Sequence, residues 1–200
     1  MEITTEAGPA RADLDGDVAS ARFVLMLTHG AGGLPGSPDV LAARDAALAL
    51  GGLVARITQP YRVRGARAPG SAPRQDAAWI EIASALRRLA PGVPLVQGGR
   101  SNGARVACRT AAATGARGVI ALAFPLHPPG RAAQTRVGEL REARASGAAV
   151  LVVNGASDPF GIPEAADADR VVVIPGETHA LKGHRAVIVA AVAGWLPAVV

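Results

Sequence analysis

The chain has one cysteine, Cys108, so no internal disulfide can form. Cys108 falls on an expected helix, where a small buried side chain is its reading. Aromatic residues make up 3% of the 200 residues, so the core must be built from Ala, Val, Leu and Ile. The same scarcity removes the stacking platforms used by single-strand nucleic-acid binders. Lysine is nearly absent: Lys182 is the only one, and the remaining basic charge is arginine scattered along the chain. The net charge of +5 and a pI near 10.8 therefore give no basic cluster, and no nucleic-acid partner is expected. No apolar run reaches the ~18 residues that a membrane helix needs. Met1–Glu6 is polar and acidic, unlike a signal peptide, so a cytoplasmic location is the expectation. Histidines and carboxylates lack metal-ligand spacing, so no metal is expected. The glycine-rich turns fit neither a P-loop nor a dinucleotide fingerprint, and no cofactor is expected.

What is present is apolar and periodic. Half of the residues are hydrophobic and 18% are charged, which suits one domain over residues 1–200 with a sizeable core. Residues 2 to 18 are polar and read as a short edge hairpin. Apolar runs at 23–27, 53–57, 93–97, 118–124, 149–154 and 170–174 read as strands, the unbroken run at 23–27 as one buried on both faces. Between them, 38–50, 76–89, 104–113, 136–145 and 184–196 read as helices. Strands that alternate with helices imply a mostly parallel sheet with helices on both faces. The stretch 60–73 is a Pro/Gly/Arg-rich loop whose length suggests a functional role. No insertion is long enough for a separate lid domain.

The chain is organised around Gly98-Gly99-Arg100-Ser101-Asn102-Gly103-Ala104-Arg105. A Gly-x-Ser-x-Gly between a strand and a helix is a nucleophile elbow, a sharp turn that exposes the serine hydroxyl above the sheet. A Cβ at Gly99 or Gly103 would crowd the backbones that such a turn brings together.

The other chemistry-bearing residues also follow strands: His29-Gly30-Ala31, Asp158 and His179. That edge of an open α/β sheet is where ligands bind. Serine, acid, histidine is the chain order of α/β-hydrolases. Serine needs a histidine to take its proton and a carboxylate to fix the imidazole tautomer. Ser101, His179 and Asp158 are the candidates for these roles. Backbone N–H groups of Asn102 and Ala31 are the candidates for the oxyanion hole. Asp158 has a rival reading as the cap of a following helix. His184 and His127 compete with His179, but His184 begins the last helix and is expected to face solvent. Asp167 and Asp169 precede the last strand, at the wrong end of the sheet. His29 and Gly30 are expected to shape the turn beside the oxyanion hole. With Arg100 and His127 they are the expected substrate-binding residues. Arg62 and Arg64 share with Arg100 the capacity to hold an anion, against the plainer alternative of solvated surface arginines.

Together the motifs resemble a known group. His29-Gly30-Ala31-Gly32-Gly33, Gly98-Gly99-Arg100-Ser101-x-Gly103-x-Arg105, Pro125-Leu126-His127-Pro128-Pro129-Gly130 and Asp158-Pro159-Phe160-Gly161 are similar to the small α/β-hydrolase-like family. This is the family of testis-expressed protein 30 and the hydrolase-like region of NSL complex subunit 3, related more distantly to dienelactone hydrolases. The resemblance runs from about residue 20 to the C-terminus. It implies the α/β-hydrolase fold without a lid, with Ser101, Asp158 and His179 at the triad positions. Asn102 stands where a larger apolar residue is expected, and Thr178 where an acidic residue is common.

The sequence thus implies a serine hydrolase that cleaves a small carboxylic ester or thioester through an acyl-enzyme. The alternative is an α/β-hydrolase-like binding or scaffold module without turnover. The expected partner is a small-molecule substrate. The sequence is silent on oligomeric state.

Overall fold

Strand β3 (Phe23–Thr28) is buried along its whole length. Phe23, Leu25 and Leu27 join one apolar cluster, and Val24 and Met26 join another. Side chains alternate between faces along a strand, so an unbroken apolar run needs cover on both sides. The computed structural model describes all 200 residues, Met1–Val200, and supplies that cover.

Eight strands form one sheet in the order β1-β2-β4-β3-β5-β6-β7-β8. They are β1 (Glu2–Ile3), β2 (Ala10–Asp15), β3, β4 (Gly52–Thr58), β5 (Leu95–Arg100), β6 (Gly118–Leu122), β7 (Ala149–Gly155) and β8 (Arg170–Ile174). β1 and β2 form the edge hairpin, and β2 runs antiparallel to β4. All other pairings are parallel. The helices are α1 (Pro38–Ala49), α2 (Pro60–Val63), α3 (Ala72–Leu89), α4 (Asn102–Thr114), α5 (Val137–Ala145) and α6 (Arg185–Ala193). α1 and α6 cover one face. On the other face α3 packs in one cluster, and α4 and α5 in a second. This is the α/β-hydrolase fold, and every helix lies against the sheet or borders it, with no lid domain. No helix is long and apolar enough to cross a membrane.

From β3 the chain steps outward to β4, then returns to β5 on the other side of β3. Such a reversal opens a crevice at the carboxyl ends of the two strands. Thr28 and Arg100 mark those ends.

Element bounds differ from the sequence expectations for local reasons. The 60–73 loop contains α2 and the start of α3, which begins at Ala72 because Pro73 is well placed in a first helical turn. α2 braces the glycine-rich turn after β3. Tyr61 Oη donates to the Ala31 carbonyl at 2.8 Å, and Arg62 Nε to that of Gly33 at 3.0 Å. β5 continues through Gly98 and Gly99 to Arg100, and β6 leaves no room for a side chain at Gly98. A Cβ on Gly98 would lie 2.5 Å from the Ile120 carbonyl oxygen. β6 ends at Leu122 because Ala123 turns to φ 47° and the Phe124 N–H leaves the ladder for Asn154 Oδ1 at 2.9 Å.

Between α3, β5 and α4 the few buried polar groups satisfy one another. Trp79 Nε1 donates to Gln97 Oε1 at 3.0 Å, and Gln97 Nε2 donates to the Ala107 carbonyl at 2.6 Å. Burial without such partners would cost each group about 1–3 kcal/mol.

Candidate active site

Ser101 joins β5 to α4 with φ 53° and ψ −112°. A side chain rarely adopts this conformation, and neighbouring contacts must hold it. The Ser101 N–H donates to the Leu122 carbonyl at 2.9 Å, and its own carbonyl accepts from Arg105 N at 3.2 Å. The turn closes because Gly99 and Gly103 lack side chains. A Cβ on Gly99 would lie 2.8 Å from backbone atoms of Gly103 and Thr28, and one on Gly103 would lie 2.7 Å from the His29 carbonyl oxygen.

Asp158 lies in the turn after β7, with its carboxylate fully buried. Oδ1 accepts the Phe160 N–H at 2.9 Å. Oδ2 lies 2.8 Å from His179 Nδ1 and 3.4 Å from Asn154 Nδ2. No regular helix follows Asp158 for it to cap, only a 3₁₀ turn at Ala165–Asp167 that Glu164 caps. Asp167 pairs instead with Arg141 at 2.8 Å.

His179 follows β8. Its Nδ1–H donates to the Asp158 carboxylate, which can only accept, leaving Nε2 as the acceptor. Ser101 Oγ stands 2.9 Å from Nε2. Phe160 meets the imidazole edge-on, with ring centroids 4.6 Å apart. The three residues singled out in the sequence are thus joined in space by one hydrogen-bonded line.

The loop that carries His179 is held by two carboxylates that the sequence analysis did not single out. The Glu177 carboxylate accepts the N–H groups of Lys182 (3.1 Å), Gly183 and His184 (2.9 Å), and the His184 Nδ1–H at 2.9 Å. The bond from His184, then the backbone N–H groups, hold the Glu177 carboxyl below its ordinary range. The only local signal for Glu177 is an acid two positions before His179, one earlier than the family pattern places it. His184, half exposed, is occupied by Glu177 and does not reach Ser101.

The second carboxylate is Asp39, on α1 and fully buried. It forms an ion pair with Arg100 Nε at 3.1 Å, without hydrogen-bond alignment. Burial pushes the Asp39 carboxyl up, and Arg100 opposes the shift. Arg100 Nη2 donates to the His179 carbonyl at 2.8 Å. Nothing local marks Asp39, because its partner comes from another strand end.

Of the expected oxyanion donors, Ala31 borders the same cleft as Ser101 and Asn102. The Asn102 N–H opens α4, where a helix offers it no carbonyl. The Ala31 N–H donates to no protein group. Gly30 backs the serine: a Cβ there would lie 3.4 Å from Ser101 Cβ. His29 is buried beneath them. Its Nδ1–H donates to the Gly30 carbonyl at 2.8 Å, and its Nε2 accepts the Gln59 N–H at 3.1 Å. Burial holds the His29 imidazole below its ordinary pKa, as suits a neutral ring.

The cleft offers about 170 Å³ and is lined by Ala31, Ser101, Asn102, Arg105, Pro125, Pro129, Arg136 and Phe160. Of the expected substrate-binding residues, His29, Gly30, Arg100 and His127 do not line it. His127 Nδ1 donates to the Gln134 carbonyl at 2.7 Å, and the ring packs under Gly161. Arg62 and Arg64 are spent on backbone carbonyls of Gly33, Ala66 and Ala7. The cations on the cleft wall are Arg105 and Arg136. Another hollow, of about 230 Å³, lies at the amino end of β5 around Pro94 and Arg117, away from Ser101, and it holds no nucleophile or acid–base group.

Comparison with known proteins agrees with this fold. Solved structures that share the fold include three hydrolases or esterases. Est1E from Butyrivibrio proteoclasticus with ferulic acid bound superposes with a TM-score of 0.79 at 16% identity, covering 100% of this chain and 98% of that one. An α/β serine hydrolase without lid from Xanthomonas campestris gives 0.75 at 22% identity, over 98% and 94%. Dienelactone hydrolase from Anabaena variabilis gives 0.76 at 16%, over 100% and 96%. No curated protein matches the sequence. Residues 21–183 match the sequence profile of the alpha/beta hydrolase domain. With most of its length inside that profile, the chain belongs to the α/β-hydrolase family and is a hydrolase.

Proposed function

We propose that the chain is a serine hydrolase that cleaves a small carboxylic ester or thioester through an acyl-enzyme. The observation that carries this reading is the line from Asp158 through His179 to Ser101, with bonds of 2.8 and 2.9 Å, ending beside a cleft. In this reading Ser101 Oγ attacks the acyl carbon as its proton passes to His179 Nε2. Asp158 holds the Nδ1–H tautomer and stabilises the imidazolium. The N–H groups of Ala31 and Asn102 receive the negative charge that develops on the carbonyl oxygen. The imidazolium then gives its proton to the leaving group. Water, activated by the same histidine, attacks the acyl-enzyme and releases the acid.

A cleft of about 170 Å³ supports a small substrate, being smaller than the ~300–1,000 Å³ of pockets for drug-sized ligands. The proline-rich and Asp-Pro-Phe-Gly motifs support a narrower place in the small family of testis-expressed protein 30.

Stopped-flow hydrolysis of p-nitrophenyl butyrate tests the reading. The expected result is a burst of p-nitrophenol stoichiometric with enzyme, followed by slower turnover. Asp158→Asn should lower kcat by about 10⁴, because the imidazole then adopts the wrong tautomer. Absence of hydrolysis across p-nitrophenyl esters and thioesters of short acids, by a folded protein, would overturn it.

A further inference from the structure

The arginines beside the cleft do not balance their carboxylates. Arg105 grips Glu139 with two bonds, at 3.0 and 2.6 Å. Arg109 grips Asp76 in the same way, at 2.9 and 2.7 Å, and reaches Glu139 at 3.4 Å. Two guanidinium groups, Arg105 and Arg109, thus take up the two carboxylates Glu139 and Asp76, and a third, Arg136, has no ion pair. Arg136 Nη1 makes only long bonds to the carbonyls of Pro125 (3.3 Å) and His127 (3.4 Å). Its Nε and Nη2 donate to no protein group, although the residue is partly buried. No carboxylate lines the cleft. Arg136 therefore faces the cleft without a counter-ion, and a bound carboxylate would gain a charge-assisted pair there.

We propose that the substrate carries a free carboxylate besides the bond that is cleaved, and that Arg136 binds this carboxylate. The proposal rests on Ser101 being the nucleophile of a hydrolase, because Arg136 and Ser101 share one cleft. Burial, then the nearby Arg105, press the Arg136 guanidinium below its ordinary value, with Glu139 opposing. It remains charged at neutral pH all the same. The bonds of Nη1 to the two carbonyls leave the rest of the planar fork for one bidentate carboxylate. One unpaired positive charge matches a monoanion. Arg105, whose Nη1 is also unengaged, adds a second donor on the same wall. A dianionic phosphate would leave a negative charge unmatched.

Two measurements test this. The first is the ratio of kcat/KM for mono-p-nitrophenyl glutarate to that for p-nitrophenyl butyrate. The ratio should exceed about 10 in the wild type, fall towards 1 in Arg136→Gln and be intermediate in Arg136→Lys, since one charge-assisted hydrogen bond is worth about this much. A folding defect would lower both rates and leave the ratio unchanged. A wild-type ratio of 1 or less, or a ratio insensitive to both substitutions, would overturn the proposal.

The second measurement needs no turnover. Saturation-transfer NMR should show monomethyl glutarate bound to Ser101→Ala, at least tenfold more weakly when Arg136→Gln is added. Neutral dimethyl glutarate should bind alike to both. Equal binding of the monoester with and without Arg136 would overturn the carboxylate site. Arg136-dependent binding, together with no hydrolysis of any ester, would keep the site and overturn the hydrolase reading instead.

Discussion

Arg100 Nη2 donates to the backbone carbonyl of His179 at 2.8 Å, across 79 positions of sequence. The same guanidinium is paired through Nε with the fully buried Asp39. The residue before Ser101 thus ties the histidine loop to α1. The proposed relay through His179 tolerates little error in geometry, since a displacement of about 1 Å can cost about 10²-fold in rate.

Arg100→Lys keeps the charge beside Asp39 but has no planar fork to reach both partners. We expect kcat to fall by about 10–10²-fold with KM little changed, read from steady-state kinetics on p-nitrophenyl butyrate. A matching rise in KM would mean that Arg100 contacts substrate. Arg100→Met should do more damage, because it leaves the Asp39 charge buried and alone, a loss of about 3–5 kcal/mol.

Glu177 organises the other side of the same loop. Its folded pKa is depressed, so its contribution to stability is complete above the unfolded value of about 4.5 and is lost as pH falls below it. Glu177→Ala leaves the N–H groups of Lys182, Gly183 and His184 without their acceptor. Hydrogen exchange at those amides should accelerate. Stability should fall by about 1–3 kcal/mol, or ~2–4 °C in Tm for each kcal/mol. Glu177→Gln keeps an acceptor oxygen and should recover part of both effects.

His29 gives the fold a second acid-sensitive point. Its folded pKa is depressed by burial, so the unfolded chain binds the extra proton more readily. Protonation would also place a donor at Nε2 against the Gln59 N–H. Stability from urea unfolding should therefore fall as pH drops below the unfolded value of about 6.5. His29→Gln should remove that part of the pH dependence. An unchanged profile in the variant would assign the effect to other groups.

The central strands were legible because each is a run of apolar residues, which only a sheet covered on both faces can bury, whereas the apolar run of β8 lies at the sheet edge and stays partly exposed. Phe23 to Leu27 shows the reason directly, with alternate residues in separate clusters. The elbow was legible for a related reason: Gly99 and Gly103 are demanded by backbone contacts that no side chain fits. Choosing His179 over His184 depended on position after a strand, and the structure gives His184 to Glu177. The supports of the site were not legible. Asp39 meets Arg100, and Arg136 shares a wall with Ser101, through contacts between distant elements that leave no local pattern. The arginines singled out in sequence, Arg62 and Arg64, satisfy backbone carbonyls, and sequence spacing cannot distinguish that use from anion binding.

The central claim is that His179 and Asp158 activate Ser101. The most direct measurement is covalent labelling by a fluorophosphonate, followed by intact-mass and peptide mass spectrometry. The account predicts one adduct per chain, on Ser101. Ser101→Ala should not label, and His179→Ala should label at least ~10³-fold more slowly. A folded wild type that does not label, or that labels equally without His179, would contradict it.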